Sequence, residues 1–276
     1  MTATMAFRIL GCASSPGNPR IGNDWGACDP NEPKNRRRRA ALLVTRTDGS
    51  GRRTRVLVDA GPDLREQMLE ADVDWVDAVV FTHAHADHIH GIDDLRAFAL
   101  NRRRLVNVWA DDTTSKRLHE AFGYCFKTPP GSAYPPILEE HRLTVGHPVS
   151  IQGEGGAITV LPFRQIHGDV DSLGLRFGDV AYSTDVSAFP DETLPHLGKL
   201  DLWILDALRL RSHPSHFSVD EALAWIARKK PKHAVLTHLH NDLDYDALKA
   251  RLPDGVEPGF DGLEFVYPLA DDRLRG

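Results

Sequence analysis

The chain has few cysteines. Only Cys12, Cys28 and Cys125 occur among its 276 residues. Their number is odd and their spacing is wide, which argues against a disulfide framework and is typical of proteins in a reducing cytoplasm. The same spacing does not suit a zinc site built from cysteines. We therefore expect a cytoplasmic protein without disulfides.

Long apolar runs are also missing. The longest, such as residues 40–44 and 56–58, fall far short of the roughly 20 residues that a membrane-spanning helix needs. The first ten residues do not supply a basic segment followed by an apolar stretch of signal-peptide length. These absences predict a protein that has no membrane partner.

No stretch rich in proline, glycine and serine divides the chain, and no internal repeat is visible. Length alone allows one large domain or two ordinary ones. Because a linker is lacking, we expect a single domain over residues 1–276. The sequence leaves open whether the protein is a homodimer.

The formal net charge of −6 hides an uneven distribution of arginine. Basic runs occur at residues 36–39, 52–55 and 102–104. We interpret each run as a solvated surface rather than as a contact to phosphate. A net acidic chain argues against charge-driven binding of nucleic acid, although it leaves room for a local basic patch.

Four potential metal ligands occur within residues 82–88, which have the sequence Thr-His-Ala-His-Ala-Asp-His and directly follow a short apolar run. Side chains two apart in extended backbone share a face, so His83 and His85 can converge on one ion. Asp87 is a suitable N-cap for the helical pattern that follows, and that turn would carry Asp87 and His88 toward a second position. A histidine-rich polar loop is the alternative, but the strand context favours a metal site.

Predicted strands alternate with predicted helices along the chain, which is typical of α/β layering, and hairpins make the predicted sheets mixed. One hairpin signal is Gly178-Asp179 between two strand patterns. Four prolines predict that residues 123–146 have no regular structure. We interpret this segment as a candidate lid.

Three further candidate ligands, His167, Asp185 and His238, each follow a predicted strand. Taken singly, each could be a loop residue hydrogen-bonded to the backbone. Loops at one edge of a sheet sandwich can, however, collect all three beside the first motif. Together with the four residues of that motif they give seven potential ligands, which suit two ions better than one.

These residues resemble, in order and spacing, the five motifs of the metallo-β-lactamase superfamily over about residues 7–268. The resemblance implies an α/β fold, a four-layer αββα sandwich with two mixed β-sheets, and a dinuclear site at one edge. The ions would be divalent, with zinc, manganese and iron all compatible with such ligands. By the family pattern, one ion takes His83, His85 and His167, the other takes Asp87, His88 and His238, and Asp185 bridges.

Within the superfamily, residues 10–17, 58–65 and 252–264 resemble the phosphoribosyl cyclic phosphate phosphodiesterase group of phosphonate breakdown. Members of that group carry an accessory structural zinc held by cysteines of the N-terminal loop and a histidine three residues after the last catalytic one. Here only Cys28 stands in that loop, and Asn241 occupies the histidine position. We therefore expect two metal ions per chain and no accessory zinc.

The resemblance implies a metal-dependent hydrolase. The favoured substrate is a small phosphate ester, a cyclic phosphate or a nucleotide-like phosphodiester, opened by a metal-bridging hydroxide. Asp87 and His216 are the candidate catalytic residues. His216 matches a functional histidine of the family and is the candidate proton donor or phosphate contact. The alternative interpretation of His216 is an exposed turn residue without a role in the reaction. We interpret Asp59 as a residue that orients an imidazole.

Three other functions stay open. One is an RNase Z-like endoribonuclease, although no inserted basic arm is evident. Another is a thioester or lactone hydrolase, because the sequence does not decide between carbon and phosphorus as the electrophile. The third is a non-catalytic protein that senses a phosphorylated ligand, against which the retention of all seven ligands argues.

Overall fold

Two β-sheets of seven strands each dominate residues 2–269, the part of the chain that the computed structural model describes. Across the first sheet the strands are β14 (Glu264–Pro268), β1 (Thr4–Gly11), β2 (Ala41–Thr47), β3 (Arg53–Val58), β4 (Ala78–Val80), β5 (Val106–Ala110) and β6 (Leu138–Arg142). Across the second sheet they are β13 (Val256–Pro258), β12 (His233–Thr237), β11 (Leu202–Asp206), β10 (Val180–Ser183), β9 (Val170–Phe177), β8 (Ile158–His167) and β7 (Val149–Ile151).

Both sheets are mixed, as expected. Strands β3 to β6 run parallel, whereas β1 is antiparallel to its neighbours β14 and β2. In the second sheet β10 to β13 run parallel, and β7, β8 and β9 pair antiparallel. The hairpin between β9 and β10 turns at Gly178, whose φ of 60° suits glycine, so this sequence prediction is confirmed.

Helices cover the outer face of each sheet. They are α1 (Leu64–Glu70), α2 (Ala86–Ile89), α3 (Arg96–Arg102), α4 (Asp112–Phe126), α5 (Val219–Lys229) and α6 (Tyr245–Lys249), with single 3₁₀ turns at Pro33–Asn35, Ile92–Leu95 and Asp191–Leu197. No helix within residues 2–269 is long and apolar enough to cross a bilayer.

Three apolar clusters define four layers. The first lies between α1 to α4 and the first sheet, with Leu57 and Phe81 at its centre. The second fills the space between the sheets, where Phe7 and Ile204 are buried. The third packs α5 and α6 on the second sheet around Trp203. This arrangement is the αββα sandwich that the family resemblance implies.

Strand burial explains why the central strands have apolar sequences. All three residues of β4 and all five of β11 are buried, because a layer covers both faces of each sheet. Strands buried on both faces need near-continuous apolar runs rather than alternation. The edge strand β6 is more exposed, and it carries charged residues that discourage pairing with other chains.

The prediction that residues 123–146 lack regular structure is wrong at residues 123–126 and 138–142 and correct for the remainder. A role as a lid stays a prediction. Helix α4 continues to Phe126, and β6 pairs with β5 from Leu138 to Arg142. Strand β6 has the sequence Leu-Glu-Glu-His-Arg. An edge strand needs few apolar residues, so this strand lacks the apolar pattern from which strands are predicted. The prolines are confined to the connection between these two elements.

The three cysteines are buried and unpaired. Cys28 lies in the N-terminal loop, whereas Cys125 lies near the end of α4. Burial raises the pKa of Cys125 to about 11, so this thiol stays neutral.

Two glycines allow the loop after β3 to touch the loop after β4. The amide of Gly91 donates to the carbonyl of Ala60, and the amide of Ala60 donates to the carbonyl of His88, both at 2.8 Å. A Cβ atom at Gly61 would overlap the backbone carbonyl oxygen of Asp87. This contact sets the position of α2 relative to the sheet.

We expect Gly61→Ala to lower the free energy of unfolding by about 3 kcal/mol, because the added methyl group must push α2 away. Urea denaturation of the purified variant measures this loss. Gly123→Ala is the matched control. An added Cβ there meets no atom within 4 Å, and alanine favours a helix over glycine. Equal stability of the two variants would contradict the prediction.

Candidate metal centre

The candidate ligands lie where several strands end at one edge of the sandwich. His83 and His85 follow β4, His167 is the last residue of β8, and Asp185 and His238 follow β10 and β12. Strands β8, β10 and β12 run in the same direction. Their carboxyl ends therefore meet at the same edge, which brings residues far apart in sequence together.

Three residues of this edge have strained backbone conformations. Asp59, Asp185 and His238 have φ values of 64°, 51° and 59°. Residues other than glycine adopt this left-handed region at a cost of about 1–3 kcal/mol, and such strain clusters at functional sites. Asp59 and His238 directly follow β3 and β12, and Asp185 lies two residues after the end of β10. The chain must turn sharply at each of these places to aim the side chain.

Four ligand atoms form a first group. Atoms of His83, His85, His167 and Asp185 all lie within 4.8 Å of one another. His85 Nδ1 lies 3.2 Å from His167 Nε2, and Asp185 Oδ1 lies 3.6 Å from His167 Nε2 and 3.9 Å from His83 Nε2. His85 is exposed, whereas the other three are buried, so solvent reaches this group from one side.

A second group shares one residue with the first. Atoms of Asp87, His88, Asp185 and His238 also lie within 4.8 Å of one another. His88 Nε2 is 3.1 Å from Asp185 Oδ2 and 3.4 Å from Asp87 Oδ2, and His238 Nε2 is 3.7 Å from Asp87 Oδ2. All four residues are buried. Asp185 thus belongs to both groups, as the family pattern implies for a bridging residue.

The unsatisfied atoms of these groups fit divalent cations. Nε2 of His83, His88 and His238 and Oδ2 of Asp87 are buried and have no hydrogen-bond partner within residues 2–269. Leaving a polar atom buried without a partner costs about 1–3 kcal/mol of stability. Several such atoms that point to one position therefore indicate that an ion binds there. Imidazole and carboxylate are ligands of zinc, manganese and iron.

Electrostatics supports the same conclusion. Burial disfavours a charge on His88, yet the carboxylates of Asp185, Asp87 and Asp59 raise its pKa well above the ordinary value. Burial instead lowers the pKa of His83. The carboxylates therefore create a position at which positive charge is stabilised, which a metal ion can occupy.

Asp87 does not cap α2. The helix begins at Ala86, so His85 occupies the N-cap and Asp87 lies in the first turn. The sequence prediction of an Asp87 N-cap is therefore wrong. The carboxylate of Asp87 lies beside Nε2 of His88 and of His238, so it is not available to the backbone amides of the helix.

Two of the candidate ligand histidines have a hydrogen bond to a carboxylate or carbonyl oxygen on the ring nitrogen that faces away from the site. His88 Nδ1 lies 2.7 Å from Asp59 Oδ2, and His167 Nδ1 lies 2.6 Å from the carbonyl oxygen of Ser215. A proton on each Nδ1 leaves Nε2 as the lone-pair donor toward the site. Asp59 is fully buried and also accepts from the backbone amide and the hydroxyl of Thr82. It has the contacts expected of an orienting residue.

We expect Asp59→Asn to weaken metal binding about 10–100-fold, because an amide cannot hold the His88 proton as a carboxylate does. Asparagine tolerates the left-handed backbone of this position, so the fold should persist. Metal affinity is measured by competition with a chelator. Asp111→Asn at the N-cap of α4 is the matched control, since asparagine caps equally well. Unchanged affinity in Asp59→Asn would refute the orienting role.

His216 lies beside the two groups and is oriented by a residue that the sequence prediction missed. His216 Nδ1 lies 2.7 Å from Asp206 Oδ2, and the opposite nitrogen, Nε2, lies 4.0 Å from Asp185 Oδ1. The imidazoles of His216 and His238 stack with centroids 4.6 Å apart. His216 is 8% exposed, which contradicts the alternative of an exposed turn residue.

Asp206 is the last residue of β11 and is completely buried. Its Oδ2 also accepts from the amide of Val186, and its Oδ1 lies 3.9 Å from His238 Nδ1. Asp206, His216 and His238 form a third group that could hold a cation. The signal was available, because an acidic residue ends an apolar strand here much as Asp185 follows one, but the same pattern is typical of an ordinary turn residue.

At the place expected for an accessory zinc, a buried guanidinium joins the N-terminal loop to the segment after His238. Arg37 is 2% exposed and donates through Nη2 to Cys28 Sγ at 3.4 Å, to Asn35 Oδ1 at 2.9 Å and to the carbonyl of Leu243. The Cys28 thiol lies 3.4 Å from the carbonyl of Asn241. The absence of an accessory zinc stays a prediction, which metal counting of three ions per chain would refute.

The sequence pattern of the β-lactamase superfamily domain matches residues 54–239. Among solved structures, a diphosphatase of the PhnP family is 34% identical, superposes with a TM-score of 0.86, and is matched over 98% of this chain and 99% of that one. An octanoyltransferase of Porphyromonas gingivalis is 32% identical over 272 residues, 97% of this chain and 52% of that protein.

A ribonuclease Z of Deinococcus radiodurans is similar over a shorter stretch. It is 33% identical over 92 residues, 33% of this chain and 28% of that protein. The chain thus spans about half the length of the octanoyltransferase and less than a third of the ribonuclease. The similarity to the diphosphatase, by contrast, extends over both chains almost completely.

Proposed function

Because this chain belongs to the metallo-β-lactamase superfamily, we propose that it is a phosphodiesterase-type hydrolase that uses two divalent metal ions. The observation that carries the proposal is the pair of four-residue groups that share Asp185. Each group offers enough nitrogen and oxygen atoms for one ion. With a single bound ion, one of the two groups would hold no metal.

Phosphorus is the favoured electrophile for two reasons. Similarity to a diphosphatase extends over nearly the whole of both chains. In addition, His216 lies beside the shared Asp185 with its Nδ1 held by Asp206, which supplies a proton donor for an oxygen leaving group. The substrate that we propose is a small phosphate ester, a cyclic phosphate or a nucleotide-like phosphodiester.

The residues that would hold the ions are those of the two groups described above. When bound, such ions act as Lewis acids toward phosphoryl oxygens and activate water at neutral pH. Asp59 and the Ser215 carbonyl keep the Nε2 atoms of His88 and His167 directed toward the site. The ions would supply the positive charge that a phosphate ester needs on this acidic protein.

In the reaction, a water oxygen forms a bond to phosphorus and the ester P–O bond breaks on the opposite side. The leaving oxygen needs a proton as it acquires negative charge. His216 can donate it from Nε2, while Asp206 stabilises the imidazolium through Nδ1. The proton that the attacking water loses passes to solvent, and solvent returns a proton to His216, so the cycle balances.

Hydrolysis of bis(p-nitrophenyl) phosphate, compared with hydrolysis of octanoyl and shorter acyl thioesters, tests the proposal. We expect the metal-loaded wild-type protein to release nitrophenolate and to leave the thioesters intact. A chelator should abolish the activity, and adding back metal should restore it. Cleavage of the thioesters with no cleavage of the phosphodiester would overturn the proposal.

Carbonyl chemistry is the second candidate, because the octanoyltransferase matches 97% of this chain. That match covers only about half of the octanoyltransferase, so it does not transfer acyl-group chemistry to this chain. An RNA substrate is less favoured, because the similarity to the ribonuclease Z of Deinococcus radiodurans covers 33% of this chain and that to the ribonuclease Z of Bradyrhizobium sp. covers 45%. Precursor transfer RNA is therefore included as an additional substrate in the assay.

A further inference from the structure

Two arginine runs that are distant in sequence line one groove. Arg53 and Arg55 lie in β3, and Arg102 and Arg104 lie just before β5. The groove has a volume of about 890 Å³. It lies at the amino ends of these parallel strands, whereas the candidate metal ligands follow the carboxyl end of β4. The groove is therefore separate from the metal centre.

The groove has an excess of positive charge although the chain is acidic. Five arginines line it, against Asp77 and Glu154 as the acidic lining residues. The carboxylate of Asp77 is already engaged, because it accepts from the Arg55 amide at 2.9 Å and from the Trp75 indole at 3.1 Å. A net charge of −6 on the chain makes this local excess of arginine unexpected.

Two of the guanidinium groups are available to a ligand. Arg53 is exposed, and its side chain has no hydrogen bond or ion pair within residues 2–269. Arg104 lies over the ring of Trp75 at 5.3 Å and has no carboxylate partner in the described part of the chain. By contrast, Arg55 and Arg102 are both held by Asp74. The fifth arginine, Arg52, is held by Asp48, so three charges are fixed and two are free.

The walls of the groove favour phosphate over a nucleobase as the recognised group. Arg104 covers a face of the Trp75 ring, and Phe98 packs against the ring edge-to-face at 6.4 Å. The ring is therefore not free to stack on a base. Gly153 approaches Thr54 so closely that a Cβ atom would lie 2.5 Å from its hydroxyl oxygen, which fixes the opposite wall. Guanidinium forks match phosphate oxygens in geometry and charge.

We propose that this groove binds a small anion with at least two phosphate groups, through Arg53 and Arg104, with Arg55 and Arg102 adding charge from their fixed positions. The site goes beyond the proposed hydrolysis and does not depend on it. Its ligand would bind to the end of the sheet opposite the candidate metal centre.

Titration of the metal-loaded protein with methylenediphosphonate, followed by nuclear magnetic resonance of the Trp75 indole N–H, tests this site. The indole lies in the groove and donates to Asp77, so its signal reports binding there and not at the metal centre. Trp75→Phe assigns the signal. We expect a saturable shift in the wild type, and an affinity at least about tenfold lower in Arg53→Gln/Arg104→Gln, the loss expected for hydrogen bonds to charged groups.

Arg117→Gln/Arg228→Gln, on helices α4 and α5, changes the net charge equally and should bind as the wild type does. Both double variants should hydrolyse bis(p-nitrophenyl) phosphate at the wild-type rate. Equal affinity of the groove variant and the wild type would overturn the proposal. So would an equal shift with sulfate, which would indicate general screening, or tighter binding of a single-stranded oligonucleotide, which would indicate a polynucleotide surface.

Discussion

Asp185→Asn is expected to lower kcat/KM for phosphodiester hydrolysis at least about a thousandfold, which corresponds to about 4 kcal/mol of transition-state stabilisation. Asp185 is the one residue that belongs to both ligand groups. Its Oδ1 faces the imidazoles of His83, His167 and His238, and its Oδ2 faces that of His88. Loss of its charge should therefore weaken both metal positions.

Asparagine is the sharpest substitution at this position. The φ of Asp185 is 51°, a conformation that asparagine tolerates better than alanine does. The shape of the side chain is also preserved, so the backbone should not move. The effect can then be assigned to the lost charge rather than to a distorted loop.

Metal content measured by atomic absorption and kcat/KM are the two readouts. Asp179→Asn at the other end of β10 is the matched control, because Asp179 lies in the exposed hairpin. We expect that control to keep both the metals and the activity. A fully active Asp185→Asn protein with unchanged metal content would show that Asp185 does not bridge two ions.

His216→Ala is expected to lower kcat about 100- to 1000-fold on a phosphodiester with an alcohol leaving group. An alkoxide is a poor leaving group without a proton, and His216 is the imidazole that Asp206 orients beside Asp185. With nitrophenolate as the leaving group the loss should be much smaller, because that anion departs without protonation. The ratio of the two losses therefore measures proton donation specifically.

The metal content of the variant distinguishes proton donation by His216 from a role as a metal ligand. Asp206, His216 and His238 also form a group that could hold a cation. If His216 donates a proton, His216→Ala should keep the metal content of the wild type, whereas loss of an ion would indicate a ligand. His147→Ala, on an exposed turn before β7, is the matched control. Equal losses on both substrates would rule out proton donation.

Asp206 illustrates what the sequence could have supplied and did not. Its signal, an acidic residue at the end of an apolar strand, is the same as that of Asp185. An acidic residue after an apolar strand is more often a cap or turn residue, so this signal alone does not identify Asp206 as the partner of a functional side chain. Its partnership with His216 could not be predicted, because nine residues of irregular chain separate the two.

The basic runs show the opposite case, in which a correct local observation led to an incomplete interpretation. Arg53 and Arg55 were predicted to lie on a solvated surface, as were Arg102 and Arg104. The parallel order of β3, β4 and β5 places both runs at the amino ends of the two strands that flank β4. Because of this strand order, two arginine runs that are distant in sequence line the same groove.

The sequence by itself determined the identities of the candidate ligands and the α/β class. A ligand after an apolar strand is a local feature, and buried strands carry apolar residues wherever they pair. The sequence also predicted a shared Asp185 and an orienting Asp59. Tertiary structure alone decided which imidazole Asp59 holds, that Asp206 orients His216, and that two arginine runs meet. These contacts depend on strand order and on how the sheets pack, which a local pattern of residues does not specify.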